Sequence, residues 1–220
     1  MVTRYRDRRH AGVILSGYLS EYANRPDVLV LGLVRGGVEV GDEVAAALRA
    51  PLDVMLVRKL GTPGQEELAM GAIATGGARV LNEDIVAGLG ITADQLEAIA
   101  RMEQQELHRR EQAYRGDRPP PELAGRCVIL VDDGLATGAT MAVAVQAARQ
   151  QQPNEVVVAV PVAPPEAVQR LGELADRVIC PLAPDVFLGV GYWYEQFGQL
   201  SDDDVRAVLW AAWGRGERAA

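Results

Sequence analysis

The stretch that decides the fold reads Ile129-Leu130-Val131-Asp132-Asp133-Gly134-Leu135-Ala136-Thr137-Gly138-Ala139-Thr140-Met141. Apolar residues end in two carboxylates, a turn with glycine and threonine follows, and a helix is expected from Ala139. Ligands of open α/β sheets bind at the carboxyl ends of strands. A helix N-terminus offers unpaired N–H groups and a positive dipole end, which favour a phosphate. The stretch therefore predicts a strand, a phosphate-binding turn and a helix.

The two acids need a different partner from the turn. Asp132 and Asp133 cannot face a phosphate, because like charges repel, so we expect them to bind sugar hydroxyls or a hard cation such as Mg²⁺. The turn supplies glycines for close backbone approach and hydroxyls that donate to phosphate oxygens. These residues are Gly134, Thr137, Gly138 and Thr140. A phosphate cradle beside two carboxylates indicates a sugar phosphate as the ligand.

Rival phosphate-binding motifs fit less well. A mononucleotide P-loop requires Lys after its second glycine, and a dinucleotide fingerprint requires G-x-G-x-x-G; neither is present here. A receiver domain requires a Lys beyond its paired acids, whereas the single lysine of this chain, Lys59, precedes them. A purely structural strand-to-helix turn with two exposed aspartates remains the plain alternative.

Hydrophobic patterning outward from this stretch alternates between strands and helices. Such alternation predicts an α/β fold: an open parallel sheet of about five strands with helices on both faces, plus a small irregular hood. The expected strands are residues 28–34, 52–57, 127–131, 155–161 and 178–181. The expected helices are residues 8–22, 39–49, 92–114, 139–151 and 165–174, with a last helix after Ser201. Thr92 with Gln95 three residues later predicts a capping box, and Ser201 with Asp204 three residues later predicts a cap of the last helix.

Two segments depart from this alternation. Residues 61–77 are rich in glycine and polar residues, which predicts a loop over about 60–78 with a short hairpin near 72–81. The C-terminal part collects aromatic residues before its closing helix. We therefore divide the chain into a core of residues 1–183 and a hood segment with closing helix of residues 184–220.

Composition excludes some functions. The formal net charge of -8 over 220 residues argues against a basic nucleic-acid-binding surface. No apolar run is long enough for a membrane span, and the charged N-terminus lacks the apolar region of a signal peptide. Cys127 and Cys180 lie in apolar runs, as reduced thiols of a cytoplasmic protein would. We expect a cytoplasmic protein that contacts neither nucleic acid nor membrane.

With these residues in place, the chain resembles the type I phosphoribosyltransferases. The resemblance rests on the acids and the Thr-Gly-x-Thr turn, and it extends over residues 28–181. It implies that the donor is 5-phosphoribosyl 1-diphosphate (PRPP), that Asp132 and Asp133 hold the ribose hydroxyls at the catalytic centre, and that residues 136–140 hold the 5-phosphate. The PRPP-binding residues expected in this loop are Asp132, Asp133, Gly134, Leu135, Ala136, Thr137, Gly138, Ala139 and Thr140.

Further parts of the donor site follow from the same resemblance. Arg35-Gly36-Gly37 resembles the diphosphate-binding loop, since the glycines expose N–H groups and an arginine can pair with phosphate bidentately. Arg58 and Lys59 end the second strand and are candidates for diphosphate contacts, Lys59 also as a catalytic residue; solvated surface cations are the alternative. The loop at about 60–78 corresponds to the mobile lid, which would exclude water from the activated sugar.

The chemistry implied is displacement of diphosphate from ribose C1 by a nitrogenous base. Mg²⁺ is the expected cofactor, bound through the PRPP diphosphate and to Asp132 or Asp133. Tyr192, Trp193 and Glu195 are candidates for the base-binding hood, although a hydrophobic cap or a homodimer contact would use the same rings. Members that act on 6-oxopurines usually have Asp where this chain has Ala136, so a 6-oxopurine is disfavoured.

Two classes of function are compatible with this sequence. The first is a phosphoribosyltransferase that joins the ribose 5-phosphate of PRPP to a base and releases diphosphate, as in nucleotide salvage or synthesis. The second is a non-catalytic module of the same fold that binds PRPP or a nucleotide and regulates another protein. The retained lid and diphosphate loop favour the enzyme. The acceptor, the direction of the reaction and the oligomeric state do not follow from the sequence.

Overall fold

The core is a parallel sheet of five strands in the order β2-β1-β6-β7-β8. These strands are β1 (Val28–Leu33), β2 (Leu52–Met55), β6 (Cys127–Val131), β7 (Glu155–Ala159) and β8 (Arg177–Ile179). The structure is a computed structural model and describes residues 4–217. The outermost residues of the ranges 1–183 and 184–220, namely 1–3 and 218–220, lie outside the described residues. The predicted α/β sheet is confirmed.

Both faces of this sheet are covered by helices. One face carries α1 (Arg8–Gly17), α2 (Gly36–Leu48), α4 (Ala93–Arg115) and α7 (Asp202–Glu217), and the other carries α5 (Ala139–Gln150) and α6 (Pro165–Gly172). All residues of β1 and β6 are buried, as expected of strands covered on both faces. The helix after β1 and the helix after β6 lie on opposite faces. The order therefore reverses between β1 and β6, which opens a crevice at their carboxyl ends.

A second, antiparallel sheet corrects the prediction for the middle of the chain. The sheet consists of β3 (Val57–Thr62), β4 (Gln65–Ala74) and β5 (Arg79–Leu81). The segment predicted as a loop at about 60–78 contains the second half of β3 and all of β4. The hairpin expected near residues 72–81 is present, because Ala72 pairs with Val80. Strand β4 is hydrogen-bonded on both sides, so main-chain bonds stabilise a sequence whose side chains show little strand periodicity. Whether this segment closes over a ligand stays a prediction.

Helix boundaries follow local side-chain signals where these exist. The capping box predicted at Thr92 is present: Thr92 Oγ1 accepts from Gln95 N, and Gln95 Oε1 accepts from Thr92 N. The predicted cap at Ser201 is also present, since Ser201 Oγ accepts from Asp204 N at 3.2 Å. A short helix, α3 (Glu83–Gly88), was not predicted; Asn82 caps it by accepting from Ile85 N.

A buried ionic group joins α4 to the edge strand β2. Arg115, only 2% exposed, donates from Nε to Asp53 Oδ1 and from Nη2 to the carbonyl of Val54, both at 2.8 Å. Glu111 Oε1 lies 3.3 Å from Arg115 Nη1. On the same strand, Trp213 Nε1 of α7 donates to the carbonyl of Leu52. These bonds fix the two helices on the edge strand.

No helix within residues 4–217 combines the length and the apolar character needed to cross a membrane.

We predict that Arg115→Ala lowers the free energy of unfolding by about 3–5 kcal/mol, because it leaves the Asp53 carboxylate buried without its cation. Urea denaturation followed by circular dichroism measures this change. Arg109→Ala is the matched control, since Arg109 pairs with Glu106 on the exposed side of the same helix. Equal effects of the two substitutions would contradict a special role for the buried group.

Candidate functional site

The ends of β1 and β6 meet with almost no space between them. A Cβ atom added at Gly36 would overlap Asp133 Oδ2, and one added at Gly37 would overlap the carbonyl oxygen of Val131. Glycine is therefore required at both positions by close packing. The peptide bond between Val34 and Arg35 is cis. The structure thus places the Gly36-Gly37 turn directly against the two acids. That the two segments bind one ligand stays a prediction.

The two acids are held differently. Asp132 Oδ1 accepts from the N–H of Asp133 at 2.9 Å, whereas Asp133 Oδ2 accepts from Arg8 Nε at 2.7 Å. Burial and the charge of Asp133 raise the pKa of Asp132 well above its ordinary value. Burial also raises the pKa of Asp133, although the Arg8 guanidinium opposes this rise. Two carboxylates so placed favour any ligand that donates hydrogen bonds or positive charge to them.

The turn after the acids is pinned at its start and open further on. Leu135 N donates to the carbonyl of Val162 at 3.0 Å, and a Cβ at Gly134 would lie 2.7 Å from Val190 Cγ1. Gly138 has φ +73° and is the N-cap residue of α5. As a glycine it has no side chain that could cap the N–H groups of the first turn of this helix. Solvent reaches most of the turn that follows. The exposed residues are Ala136, Thr137, Ala139 and Thr140.

Two neighbours of this turn reduce its freedom. Thr137 Oγ1 accepts from Ala139 N at 3.3 Å, and Arg170 Nη2 of α6 donates to the carbonyl of Thr137 at 2.6 Å. Arg170 therefore holds the carbonyl of Thr137 from the side of α6. The first residues of α5, Ala139 and Thr140, are exposed to solvent. This arrangement suits an anion at the helix N-terminus.

The predicted cations do not all reach the same place. Arg35 is exposed and directly precedes α2. Arg58 lies on β3, where its Nε donates to Glu103 Oε2 of α4 at 2.8 Å. Lys59 is exposed, and as the next residue on the strand its side chain points to the opposite face. The two side chains therefore lie on opposite faces of β3, and the expectation that either of them contacts the diphosphate stays a prediction.

The hood lies against the N-terminal segment. Tyr5 N donates to the carbonyl of Trp193, and Glu195 N donates to the carbonyl of Tyr5, both at 2.8 Å. Tyr192 is half-exposed, with the Arg4 guanidinium 4.7 Å from its ring centre. Tyr194 is buried and its hydroxyl donates to the carbonyl of Asp133. This bond joins the hood directly to the backbone of Asp133, so Tyr194 has a structural role there.

The comparison with known families agrees with this geometry. Residues 6–195 match the model of the phosphoribosyl transferase domain. The chain belongs to this family.

Relatives and solved structures point the same way. The chain is 47% identical over 203 residues to a curated protein of Mycobacterium tuberculosis named "Putative phosphoribosyl transferase", which occurs in two strains. That alignment covers 92% of this chain but 46% of the relative, so the chain spans about half the length of the curated relatives. The crystal structure of the Thermus thermophilus protein TT1426 shares 46% identity and a TM-score of 0.83, over 94% of this chain and 97% of that one.

A more distant structure shares only the fold. A hypothetical protein from Neisseria gonorrhoeae, solved with bound ppGpp, has 13% identity and a TM-score of 0.50, over 94% of this chain and 97% of that one.

Arg8 is a residue of this phosphoribosyl transferase domain that sequence reasoning missed. It lies 125 residues before its partner Asp133, and nothing in the helical pattern of α1 marks it. Tyr194 is a second such residue, because its hydroxyl donates to the carbonyl of Asp133, which lies 61 residues earlier. Both contacts join segments that are distant in sequence, so no local pattern could have revealed them.

Within residues 4–217 no cluster of three or more His, Cys, Asp or Glu side chains could enclose a metal ion. Asp132 and Asp133 are two carboxylates only. Such a pair fits a cation that takes its other ligands from water and a bound phosphate, as Mg²⁺ commonly does.

We predict opposite effects on stability for the two acids. Asp132→Asn should raise the free energy of unfolding at pH 7 by about 0.5–2 kcal/mol, because it removes a carboxylate that burial and Asp133 make costly to ionise. The folded-state pKa is raised, so this gain should disappear below about pH 4, where both states are protonated. Asp133→Asn should instead destabilise the protein, since Arg8 would remain buried without its anion. Thermal melts across this pH range test the pair, and equal shifts for both variants would contradict it.

Proposed function

We propose that this protein is a Mg²⁺-dependent phosphoribosyltransferase that transfers the ribose 5-phosphate of PRPP to a nitrogenous base and releases diphosphate. The observation that carries the proposal is the contact of Gly36 and Gly37 with the end of β6. It brings a candidate diphosphate loop and a candidate ribose-phosphate loop to one edge of one sheet. The family match and the two 47% identical relatives support it.

The donor would be gripped at both ends. The first turn of α5 and the hydroxyls of Thr137 and Thr140 would bind the 5-phosphate, with no lysine required. Asp132 and Asp133 would accept hydrogen bonds from the ribose hydroxyls. The N–H groups of Gly36 and Gly37, with the guanidinium of Arg35, would bind the diphosphate.

Holding both phosphate groups positions C1 for attack in line with the leaving diphosphate. Mg²⁺, when bound, would neutralise charge on that diphosphate. Asp132 is the better protein ligand for it, because Asp133 Oδ2 already accepts from Arg8. Lys59 and the β3–β4 segment would add charge and exclude water if that segment closes over the donor.

The acceptor base would lie under the hood. Tyr192 offers an exposed ring, and Trp193 Nε1 is buried without a hydrogen-bond partner in the described part of the chain. Glu195 is exposed beside them and could accept from an amino or ring N–H group. Ala136 provides no carboxylate for the proton of a 6-oxopurine. We therefore propose a base other than hypoxanthine or guanine.

We predict that the protein with PRPP, Mg²⁺ and a panel of bases releases diphosphate with at least one base. Coupled detection of diphosphate measures this, with each base omitted in turn as the control. If calorimetry shows PRPP binding but no reaction releases diphosphate, the proposed enzyme activity is overturned and the regulatory module is favoured. Neither binding nor release would refute both.

We predict that Gly36→Ala weakens PRPP binding on the order of 100-fold, because the new methyl group must displace the Asp133 carboxylate. Gly17→Ala is the matched control, since a Cβ there meets no atom within 4 Å. Calorimetric titration with PRPP and Mg²⁺ gives both affinities. Wild-type affinity in Gly36→Ala would show that the two acids do not take part in PRPP binding.

A further inference from the structure

Arg8 makes three contacts that converge near the acids. Its Nε donates to Asp133 Oδ2 and its Nη1 to the carbonyl of Gly198, both at 2.7 Å. Its guanidinium lies 4.0 Å from the centre of the Phe197 ring. Arg8 is 8% exposed. A cation this buried needs a compensating partner, and Asp133 provides it.

The position of Arg8 in its helix gives no other reason for it. Arg8 is the first residue of α1, where the helix dipole disfavours a positive charge. The cap of α1 is supplied by Asp7, whose side chain accepts from His10 N. Arg8 therefore contributes nothing favourable to the end of its own helix. Its contacts lie with the acid loop and the C-terminal segment.

We propose that Arg8 is a positioning residue of the donor site, which fixes Asp133 through Oδ2 so that the remaining lone pairs of both acids face the ribose hydroxyls. The inference rests on the proposed function, since it assumes that ribose binds these acids. The orientation is set from two sides. Arg8 holds Oδ2, and Gly36 packs against the same oxygen.

Arg8 also joins the two ligand regions. Its bond to the carbonyl of Gly198 and its contact with the Phe197 ring link the hood segment, through this one side chain, to Asp133. Loss of these contacts would loosen Asp133 even where the charge is kept. An arginine fork can make all three contacts at once, whereas a lysine ammonium cannot.

The test compares Arg8→Gln and Arg8→Lys with Arg9→Gln, the matched control, since Arg9 is the adjacent arginine and its side chain is 53% exposed. Calorimetric titration with PRPP and Mg²⁺ gives the affinity of each variant. We expect weaker PRPP binding in Arg8→Gln and wild-type affinity in Arg9→Gln. Wild-type affinity in Arg8→Gln would overturn the proposal.

A double-mutant cycle with Asp133→Asn supplies the second measurement. In the wild-type background Arg8→Gln should bind PRPP at least tenfold more weakly, because Asp133 is no longer held in place. In the Asp133→Asn background the same change should have no further effect on PRPP affinity. Equal or tighter binding by Arg8→Gln would show that Arg8 competes with ribose, and would overturn the proposal.

Two controls separate the possible failures. Circular dichroism reports folding; if Arg8→Gln does not fold, Arg8→Lys decides, with a severalfold loss of PRPP affinity expected and wild-type affinity refuting the positioning role. Absence of PRPP binding by the wild-type protein would refute the proposed function, and the positioning role of Arg8 with it.

Discussion

The close approach between the Arg35-Gly36-Gly37 turn and the end of β6 is the constraint on which the site depends. No side chain fits at Gly36 or Gly37, because Asp133 and the backbone of Val131 occupy the space. The approach is possible because β1 and β6 are adjacent parallel strands whose following helices lie on opposite faces. Gly36 and Gly37 thus allow the turn that follows β1 to come into direct contact with the residues that follow β6. A loop with N–H groups to donate faces a loop with carboxylates to accept, which is the arrangement that the proposed ligand, with its phosphate and hydroxyl groups, would need.

The electrostatics of the acids oppose stability and favour binding. Asp132 and Asp133 are adjacent and partly buried, and burial raises the pKa of both. A fold selected only for stability would have little use for them. The surrounding structure compensates locally, through Arg8 on one oxygen and the backbone N–H of Asp133 on another. A ligand that donates hydrogen bonds to the other carboxylate oxygens would offset the rest of this cost. Binding sites commonly give up some stability in this way.

Sequence reasoning was reliable where a structure is determined by neighbouring residues. The buried strands, the box at Thr92 and the cap at Ser201 each depend on residues within a few positions. It failed where distant segments decide. Residues 65–74 form a strand because β3 and β5 bond to both of its sides, and the sequence there resembles a loop. For the site, the two loops were predicted because each carries its own residue pattern, whereas Arg8 was missed because its partners lie 125 and 190 residues away. The placement of Arg58 against Glu103 likewise depends on a helix packed from elsewhere.

The union of the N-terminal segment with the hood has a consequence for the order of folding. Tyr5 and Arg8 make their bonds with Trp193, Glu195 and Gly198, almost the full length of the described chain away. During synthesis Tyr5 and Arg8 can form these bonds only after residues 193–198 have been made. All five strands of the parallel sheet precede residue 193, so the sheet can assemble before then. A nascent chain that ends before residue 193 would therefore hold the sheet without the contacts that join the N-terminal segment to the hood.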